Sequence, residues 1–176
     1  MKSEILCLNR KPRLVGRGMY REVYRLGKMV IKLERNERSE QAALHARAVK
    51  TDNRNKTLSD ELNFLPKYHG AALVGVKSGK KVRPALATFH EYIEPLPVFS
   101  PQNIKPILLL LLEAGERGYI LDIKPGNFGR KGKKLYYLDE YGVGKSPIPP
   151  DVMEEFSTFL QSALKMLRLD RLSRKR

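Results

Sequence analysis

The sequence predicts an α+β protein with a mostly β N-terminal lobe and a short, mostly helical C-terminal lobe. Segments rich in Val, Ile, Leu and Tyr dominate the first half, and helix-forming segments dominate the second. Pro95 and Pro97 lie between them and mark a boundary. We therefore assign residues 1–94 and 95–176 to two lobes of one domain, and expect a ligand to bind between them.

Antiparallel strands joined by glycine-containing turns are predicted within residues 13–34. The first ends near Val15, the second covers about Glu22 to Leu26, and the third covers Met29 to Leu33. A turn at Gly27-Lys28 joins the last two.

Helix formers follow the third strand and predict a helix from about Ser39 to Lys50. The polar stretch TDNRNKTLSDE after it predicts a loop or a broken helix. Residues 71–77 and 83–95, separated by the turn-forming SGKK, predict a second hairpin. The first lobe is therefore expected to contain about five strands and one helix.

The second lobe is predicted to contain two helices and a short strand pair. SPQNIKPILLLLLEAGERG predicts a helix that begins at Pro106 and ends near Gly115 or Gly118. KKLYYLDEYG predicts paired strands, and a final helix is predicted from Asp151, an N-cap, to about Leu169.

The composition predicts a folded protein of the cytoplasm. With 176 residues, 41% of them apolar, the chain can fill a core. No apolar run approaches the roughly 18 residues that a membrane span needs, and the charged N-terminus lacks a secretory signal. Cys7 is the only cysteine, as expected in a reducing compartment.

The net charge of +15 predicts attraction to polyanions such as nucleotides, nucleic acid or an acidic protein. The excess lies near both ends of the chain. Because no RNA-binding aromatic motif, zinc-ligand spacing or basic-leucine heptad occurs, binding to nucleic acid is an argument from charge alone.

GRGMYREVYR places Gly16, Gly18 and Val23 at the spacing of the glycine-rich loop G-x-G-x-x-G-x-V. In such loops backbone amides approach phosphate because no side chain obstructs them. Arg21 stands where the third glycine would be. A glycine-containing hairpin turn is the alternative interpretation.

One strand later, MVIKLE matches the pattern V-A-I-K and makes Lys32 a candidate phosphate ligand. The following helix carries Glu37 and Glu40 as carboxylates that would orient this lysine. We prefer Glu40, because Glu37 precedes the first full turn. A solvated surface lysine and an exposed helix glutamate are the alternatives.

The most specific motif is DIKPGN, which matches the D-L-K-P-x-N core of the protein-kinase catalytic loop. Asp139 follows Asn127 by twelve residues, after a short strand, as the metal-binding aspartate of D-F-G does. A Pro-Gly turn with charged flanks would explain the composition of the segment, but not a second acid at this distance.

In this order of motifs, residues 14 to about 142 resemble the eukaryotic-like protein kinases in a reduced form. GRGMYREVYR, LPKYHG and LDIKPGNFG together are similar to the small bacterial YrbL-type kinase-like proteins of the PhoP regulatory network family. The resemblance implies a minimal two-lobe kinase-like fold and an ATP-dependent phosphotransferase, without indicating a substrate.

For the second lobe, the resemblance implies the catalytic groups. Asp122 would accept the proton of the substrate hydroxyl, and Lys124 would neutralise charge on the γ-phosphate. Asn127 and Asp139 would hold magnesium.

For the first lobe and the hinge HEYIEP, the resemblance implies the nucleotide-binding groups. Lys32 would pair with the α- and β-phosphates and be oriented by Glu40. Glu91 and Ile93 would offer backbone groups to the adenine, with His90 at the gatekeeper position.

The sequence departs from the kinase motifs at several positions that bear on activity. The His and Arg of H-R-D are replaced by Ile120 and Leu121, and D-F-G by the residues 139–142, DEYG. No A-P-E sequence follows, so the usual activation segment and peptide-docking helices are not expected.

We therefore predict a minimal Ser/Thr-type protein kinase that uses ATP and magnesium. Lys124 favours this class over the small-molecule kinases, which are the alternative enzymes. A pseudokinase-like module that binds an acidic protein or nucleic acid is the alternative of a different class.

Overall fold

The computed structural model describes residues 4–5, 12–18, 20–34, 41–78, 80–145, 158–159, 162–163 and 165. The contacts within the chain divide it into two units, Met1–Tyr92 and Ile93–Arg176. In the described part of the chain, no helix combines the length and the apolar character that crossing a membrane requires.

An antiparallel sheet forms the first unit. Its strands are β1 (Glu4–Ile5), β2 (Arg13–Arg17), β3 (Arg21–Leu26), β4 (Met29–Glu34), β5 (Tyr68–Ser78) and β6 (Lys81–Glu91). They pair in the order β1-β5-β6-β4-β3-β2. The five predicted strands are confirmed, with bounds a few residues from those expected, and the two-residue β1 was not predicted.

The two faces of this sheet differ in chemistry. One face carries an apolar core, formed by Tyr24, Ile31, Leu33, Val74, Val76 and Ala87. On the opposite face, which we call the polar face, Lys32 lies between Val23 on β3 and Thr88 on β6. Since side chains alternate along a strand, the burial of Ile31 and Leu33 in the core places Lys32 on the polar face.

Helix α1 (Gln41–Glu61) continues well beyond the predicted end at Lys50. The interpretation of residues 51–61 as a loop or broken helix is therefore wrong. Buried side chains recur at helical spacing along its whole length: Leu44, Ala48, Asn55 and Leu58. This packing outweighs the weak helix propensity of the Thr, Asp and Asn residues in that segment.

Asp52 attaches the second half of α1 to the sheet. Its carboxylate accepts hydrogen bonds from the Tyr68 hydroxyl at 2.8 Å and from the Ala71 N–H at 3.2 Å. It also pairs with Lys56, one turn later, at 2.7 Å. The hydrogen bonds from Lys56 and Tyr68 stabilise the charged form and lower the pKa of Asp52 below its usual value of 3.8.

We expect Asp52 to make the free energy of unfolding depend on pH at the acid end. Its pKa is lower in the folded than in the unfolded state, so its contribution is complete above pH 3.8 and is lost as the pH falls through the folded pKa. Asp52→Asn should lower stability at neutral pH and flatten this acid limb. Urea unfolding from about pH 2 to pH 7 measures both effects.

Asp60→Asn is the matched control, because Asp60 is exposed on the same helix. This variant should keep the stability and the acid limb of the wild type. Superimposable curves for Asp52→Asn and the wild type would contradict the role of Asp52.

Helix α2 (Pro101–Glu116) belongs to the second unit and begins before the predicted start at Pro106. That prediction is wrong because Pro101 occupies the first turn, where a missing N–H has no helical partner to lose, and Pro106 is accommodated inside the helix. The buried stripe is Asn103, Ile104, Ile107, Leu110 and Ala114. Gly118, with φ of 76°, follows the helix in the left-handed conformation that favours glycine, as predicted for its exit.

Short strands complete the described part of the second unit: β7 (Glu94–Pro95), β8 (Tyr119–Leu121), β9 (Phe128–Lys131), β10 (Lys134–Tyr137) and β11 (Val143–Lys145). β9 and β10 form a hairpin flanked by β7, and β8 pairs with β11. The predicted final helix, Asp151 to Leu169, lies mostly outside the described residues. Within it, residues 158–159, 162–163 and 165 are helical.

Candidate functional site

The connection between β2 and β3 is the candidate glycine loop. The Gly18 N–H donates to the Arg21 carbonyl at 2.8 Å, and Gly16 pairs with Val23 across the strands. A Cβ at Gly16 would come no closer than 3.6 Å to Val23, and one at Gly18 no closer than 3.8 Å to Arg21. Packing therefore does not require either glycine, and the Gly18 N–H is used within the hairpin.

A buried carboxylate that the sequence analysis missed joins the two strands of this loop. Glu22 on β3 accepts hydrogen bonds from Arg17 on β2 at 2.7 Å and from the Tyr24 hydroxyl at 2.6 Å. Burial and the contact with Glu22 raise the pKa of Tyr24 far above its usual range. The network holds the base of the glycine loop in one geometry.

Lys32 is buried on the polar face, with 9% of its surface exposed. It stands opposite Val23, next to the glycine loop, and opposite Thr88 on the other side. Lysine is almost never buried without a compensating group. A solvated surface lysine does not fit this environment, and the predicted partner Glu40 lies outside the described residues.

Two backbone N–H groups of the predicted hinge form hydrogen bonds within the first unit. The Glu91 N–H donates to the Lys67 carbonyl at 2.8 Å, and the Tyr92 N–H donates to the Lys28 carbonyl at 2.8 Å. The backbone N–H groups of both residues are therefore bonded within the first unit. Ile93 is the first residue of the second unit and is buried.

His90 lies two residues after Thr88 on β6 and so shares the polar face with Lys32. Its ring is buried, with Nε2 3.1 Å from the Thr88 hydroxyl and the ring centroid 5.2 Å from that of Tyr68. The residue at the predicted gatekeeper position thus has a packed, hydrogen-bonded imidazole.

In the second unit, the DIKPGN segment folds into a closed loop around Asp122. The Lys124 ammonium lies 3.0 Å from the Asp122 carboxylate, and the Asn127 amide nitrogen donates to the Asp122 carbonyl at 3.1 Å. A short 3-10 turn, Pro125–Asn127, is closed by the bond from the Asn127 N–H to the Lys124 carbonyl at 2.9 Å. Since the amide nitrogen turns toward Asp122, the Asn127 amide oxygen is the end that can meet a cation.

The β9–β10 hairpin returns the chain to this loop. It begins at Phe128, directly after Asn127, and ends at Tyr137, where Leu138 donates its N–H to the Asn127 carbonyl at 2.6 Å. Asp139 is the next residue. The hairpin thereby brings the two predicted metal ligands close together, although twelve residues separate them in sequence.

Gly142 lies beside both acids. A Cβ on Gly142 would stand 3.1 Å from the Asp122 Cβ and 3.1 Å from the Asp139 Oδ2, and would overlap the Tyr137 hydroxyl. The β8–β11 pairing continues into this contact, since the Asp122 N–H faces the Gly142 carbonyl at 3.2 Å. Close approach, rather than backbone conformation, requires glycine here.

Tyr137 is the second residue of the site that the sequence analysis missed. Its hydroxyl accepts from the Asp122 N–H at 3.0 Å and donates to the Asp122 carbonyl at 3.2 Å. Burial, followed by the charges of Asp139 and Asp122, raises the pKa of Tyr137 far above its usual range, so the phenol stays neutral. The alternation in KLYY, with Leu135 and Tyr137 on one face, was the available signal.

The donors present suit magnesium held together with phosphates. No group of three or more His, Cys, Asp or Glu side chains among the described residues forms a complete metal site. Magnesium, however, is usually bound through one or two carboxylates, with substrate phosphates and water as its other ligands. The Asp139 carboxylate and the Asn127 amide oxygen meet that requirement.

Comparisons with known proteins bear on the fold of the chain. The sequence matches no protein-family model and no curated protein. Among solved structures, the chain is similar to WbdD, with a TM-score of 0.54 and 14% identity over 88% of this chain and 38% of that one. A second structure of WbdD, the bifunctional kinase-methyltransferase, gives a TM-score of 0.45, with 17% identity over 81% of this chain and 34% of that one.

The chain has a kinase-like fold. It is also similar to the Legionella pneumophila Lpg2603 kinase bound to IP6, with a TM-score of 0.49 and 12% identity over 89% of this chain. The chain spans 58% of the Lpg2603 structure and 38% of WbdD, so the comparisons concern only part of those proteins.

Proposed function

We propose that the chain is an ATP- and magnesium-dependent phosphotransferase and, within that class, a minimal Ser/Thr-type protein kinase. One observation carries the proposal. In the second unit, Lys124 and Asn127 bond to Asp122 at 3.0 Å and 3.1 Å, and Asp139 directly follows Leu138, whose N–H donates to the Asn127 carbonyl. A turn with charged flanks would not need this set of contacts.

In the proposed reaction, Asp122 accepts the proton of an acceptor hydroxyl, whose oxygen forms the new bond to the γ-phosphorus of ATP. The bond from that phosphorus to the bridging oxygen breaks, and ADP leaves. Lys124, which pairs with Asp122 at 3.0 Å, orients the carboxylate and neutralises charge on the transferred group. Asn127 and Asp139 would hold the magnesium, which neutralises charge on the phosphates.

In the first unit, Lys32 and the glycine loop around Gly16 and Gly18 are proposed to bind the phosphates. The burial of Lys32 next to the glycine loop supports this role, because an ammonium attracts phosphate more strongly where water is excluded. The Glu91 carbonyl and the Ile93 backbone would hold the adenine.

Lys124 favours a protein acceptor over a small molecule, and the high positive charge favours an acidic one. The relation to the small bacterial YrbL-type kinase-like proteins is part of this proposal, and its basis is the motifs alone.

The proposal is tested by measuring ATP binding with and without magnesium, and transfer of labelled γ-phosphate to the chain itself and to a general protein acceptor. Lys32→Ala should weaken ATP binding about tenfold or more, since it removes a charge-assisted contact. Asp139→Ala should abolish the gain in affinity that magnesium gives to the wild type.

Lys28→Ala is the matched control, because Lys28 is exposed in the turn between β3 and β4 and should bind ATP as the wild type does. A wild-type chain that binds no ATP in the presence of magnesium would refute the proposal. Binding without transfer to any acceptor would leave the pseudokinase-like module as the better description.

A further inference from the structure

The catalytic loop is held by a side chain from outside the motif. The two residues before Asp122 are Ile120 and Leu121, which carry no polar side-chain atoms. The hydroxyl of Tyr137, fifteen residues along the chain, instead contacts both backbone polar groups of Asp122, at 3.0 Å to its nitrogen and 3.2 Å to its oxygen. A single phenol thus contacts both backbone polar groups of Asp122, in addition to their bonds to Gly142 and Asn127.

Packing explains the ring of Tyr137 but not its hydroxyl. The ring is fully buried and lies edge-on to Phe128, with centroids 5.4 Å apart. A phenylalanine would make the same contact without burying a polar group, which costs free energy unless that group is hydrogen-bonded. The two hydrogen bonds to Asp122 offset the free-energy cost of burying this hydroxyl.

The hydrogen bonds between Tyr137 and Asp122 lie beside both candidate acids of the site. Asp122 follows strand β8, and its N–H is shared between the Tyr137 hydroxyl and the Gly142 carbonyl at 3.2 Å. Tyr137 ends strand β10, two residues before Asp139. A rigid hairpin residue thus joins the candidate base to the segment that carries the candidate metal ligand.

We infer that Tyr137 is a positioning residue, whose hydroxyl fixes the Asp122 backbone so that its carboxylate faces the acceptor hydroxyl. The inference rests on the proposed function for its catalytic part. Its structural part, the attachment of Asp122 to β10 through the phenol, can be measured whether or not the chain transfers phosphate.

The experiment compares Tyr137→Phe with Tyr136→Phe in the full chain. Tyr136 is the matched control, because it is only half-buried, lies next in sequence and contacts the Lys134 ammonium through its ring at 5.0 Å. Amide hydrogen exchange at residue 122 is measured by NMR, and kcat and KM for ATP are measured by phosphate transfer.

For Tyr137→Phe we expect exchange at the Asp122 amide to be about tenfold faster, and kcat to fall about tenfold or more, with KM for ATP within about twofold of the wild type. Tyr136→Phe should match the wild type in all three. The split between kcat and KM separates positioning from a general loss of structure.

Unchanged exchange at the Asp122 amide in Tyr137→Phe overturns the inference, whatever the activity. Faster exchange with unchanged kcat overturns the positioning role. A wild-type chain that transfers no phosphate overturns the proposed function and the catalytic part of the inference together, while the exchange result still judges the attachment of Asp122.

Discussion

Replacing Asp122 with asparagine is expected to lower the rate of phosphate transfer by about 10²- to 10⁴-fold. The amide has nearly the shape of the carboxylate, but it cannot accept the proton of the acceptor hydroxyl. The loop should keep its fold, because the bonds from Tyr137 and Asn127 go to the Asp122 backbone. Single-turnover transfer of labelled phosphate, with ATP affinity measured in parallel, tests this expectation.

Asp60→Asn serves as its control, since the same substitution is made at an exposed site on helix α1. Transfer by this control should equal that of the wild type. If Asp122→Asn retained transfer within a few-fold of the wild type, another group would have to be the base. If it lost ATP binding as well, Asp122 would be acting on the nucleotide.

Replacing Gly142 with alanine is expected to cost about 1–3 kcal/mol of stability and most of the transfer activity. The new methyl group would overlap the Tyr137 hydroxyl and lie 3.1 Å from both the Asp122 Cβ and the Asp139 Oδ2. None of these neighbours is the free end of a long, flexible side chain. Either the phenol leaves Asp122 or the segment from Asp139 to Gly142 moves, and both change the geometry of the two acids.

Gly144→Ala is the matched control, because it lies two residues further along in β11 and a Cβ there would meet nothing within 4 Å. Urea unfolding and phosphate transfer of the two variants give the comparison. Equal stability of Gly142→Ala and Gly144→Ala would show that the site adapts to the methyl group at little cost.

The outline of the fold could be predicted because its signals are local. Turn residues such as Gly27 and alternating apolar residues such as Ile31 and Leu33 depend on near neighbours in sequence. The second half of helix α1 could not be predicted in this way. Its polar residues favour a loop, and they are helical because Leu58 is buried and Asp52 bonds to Tyr68 and Ala71.

The candidate site also contains residues that local sequence could predict and residues that it could not. DIKPGN has the composition and spacing of a catalytic loop, so Asp122, Lys124 and Asn127 could be predicted as site residues from positions close together in the chain. Glu22 and Tyr137 were missed because alternation along a short strand shows which residues share a face, but not which partners that face meets. Their importance comes from partners on other strands.

By itself, the sequence determined the five main strands of the first unit and the residue types available for chemistry, because the strands follow from local periodicity and turn preference. Only the tertiary structure decided which of those residues meet. The closure of the hairpin at Leu138 and Asn127 brings Asp139 back to the loop, and the register of β10 aims the Tyr137 hydroxyl at Asp122. Such contacts depend on pairing between distant segments, and no short stretch of sequence encodes it.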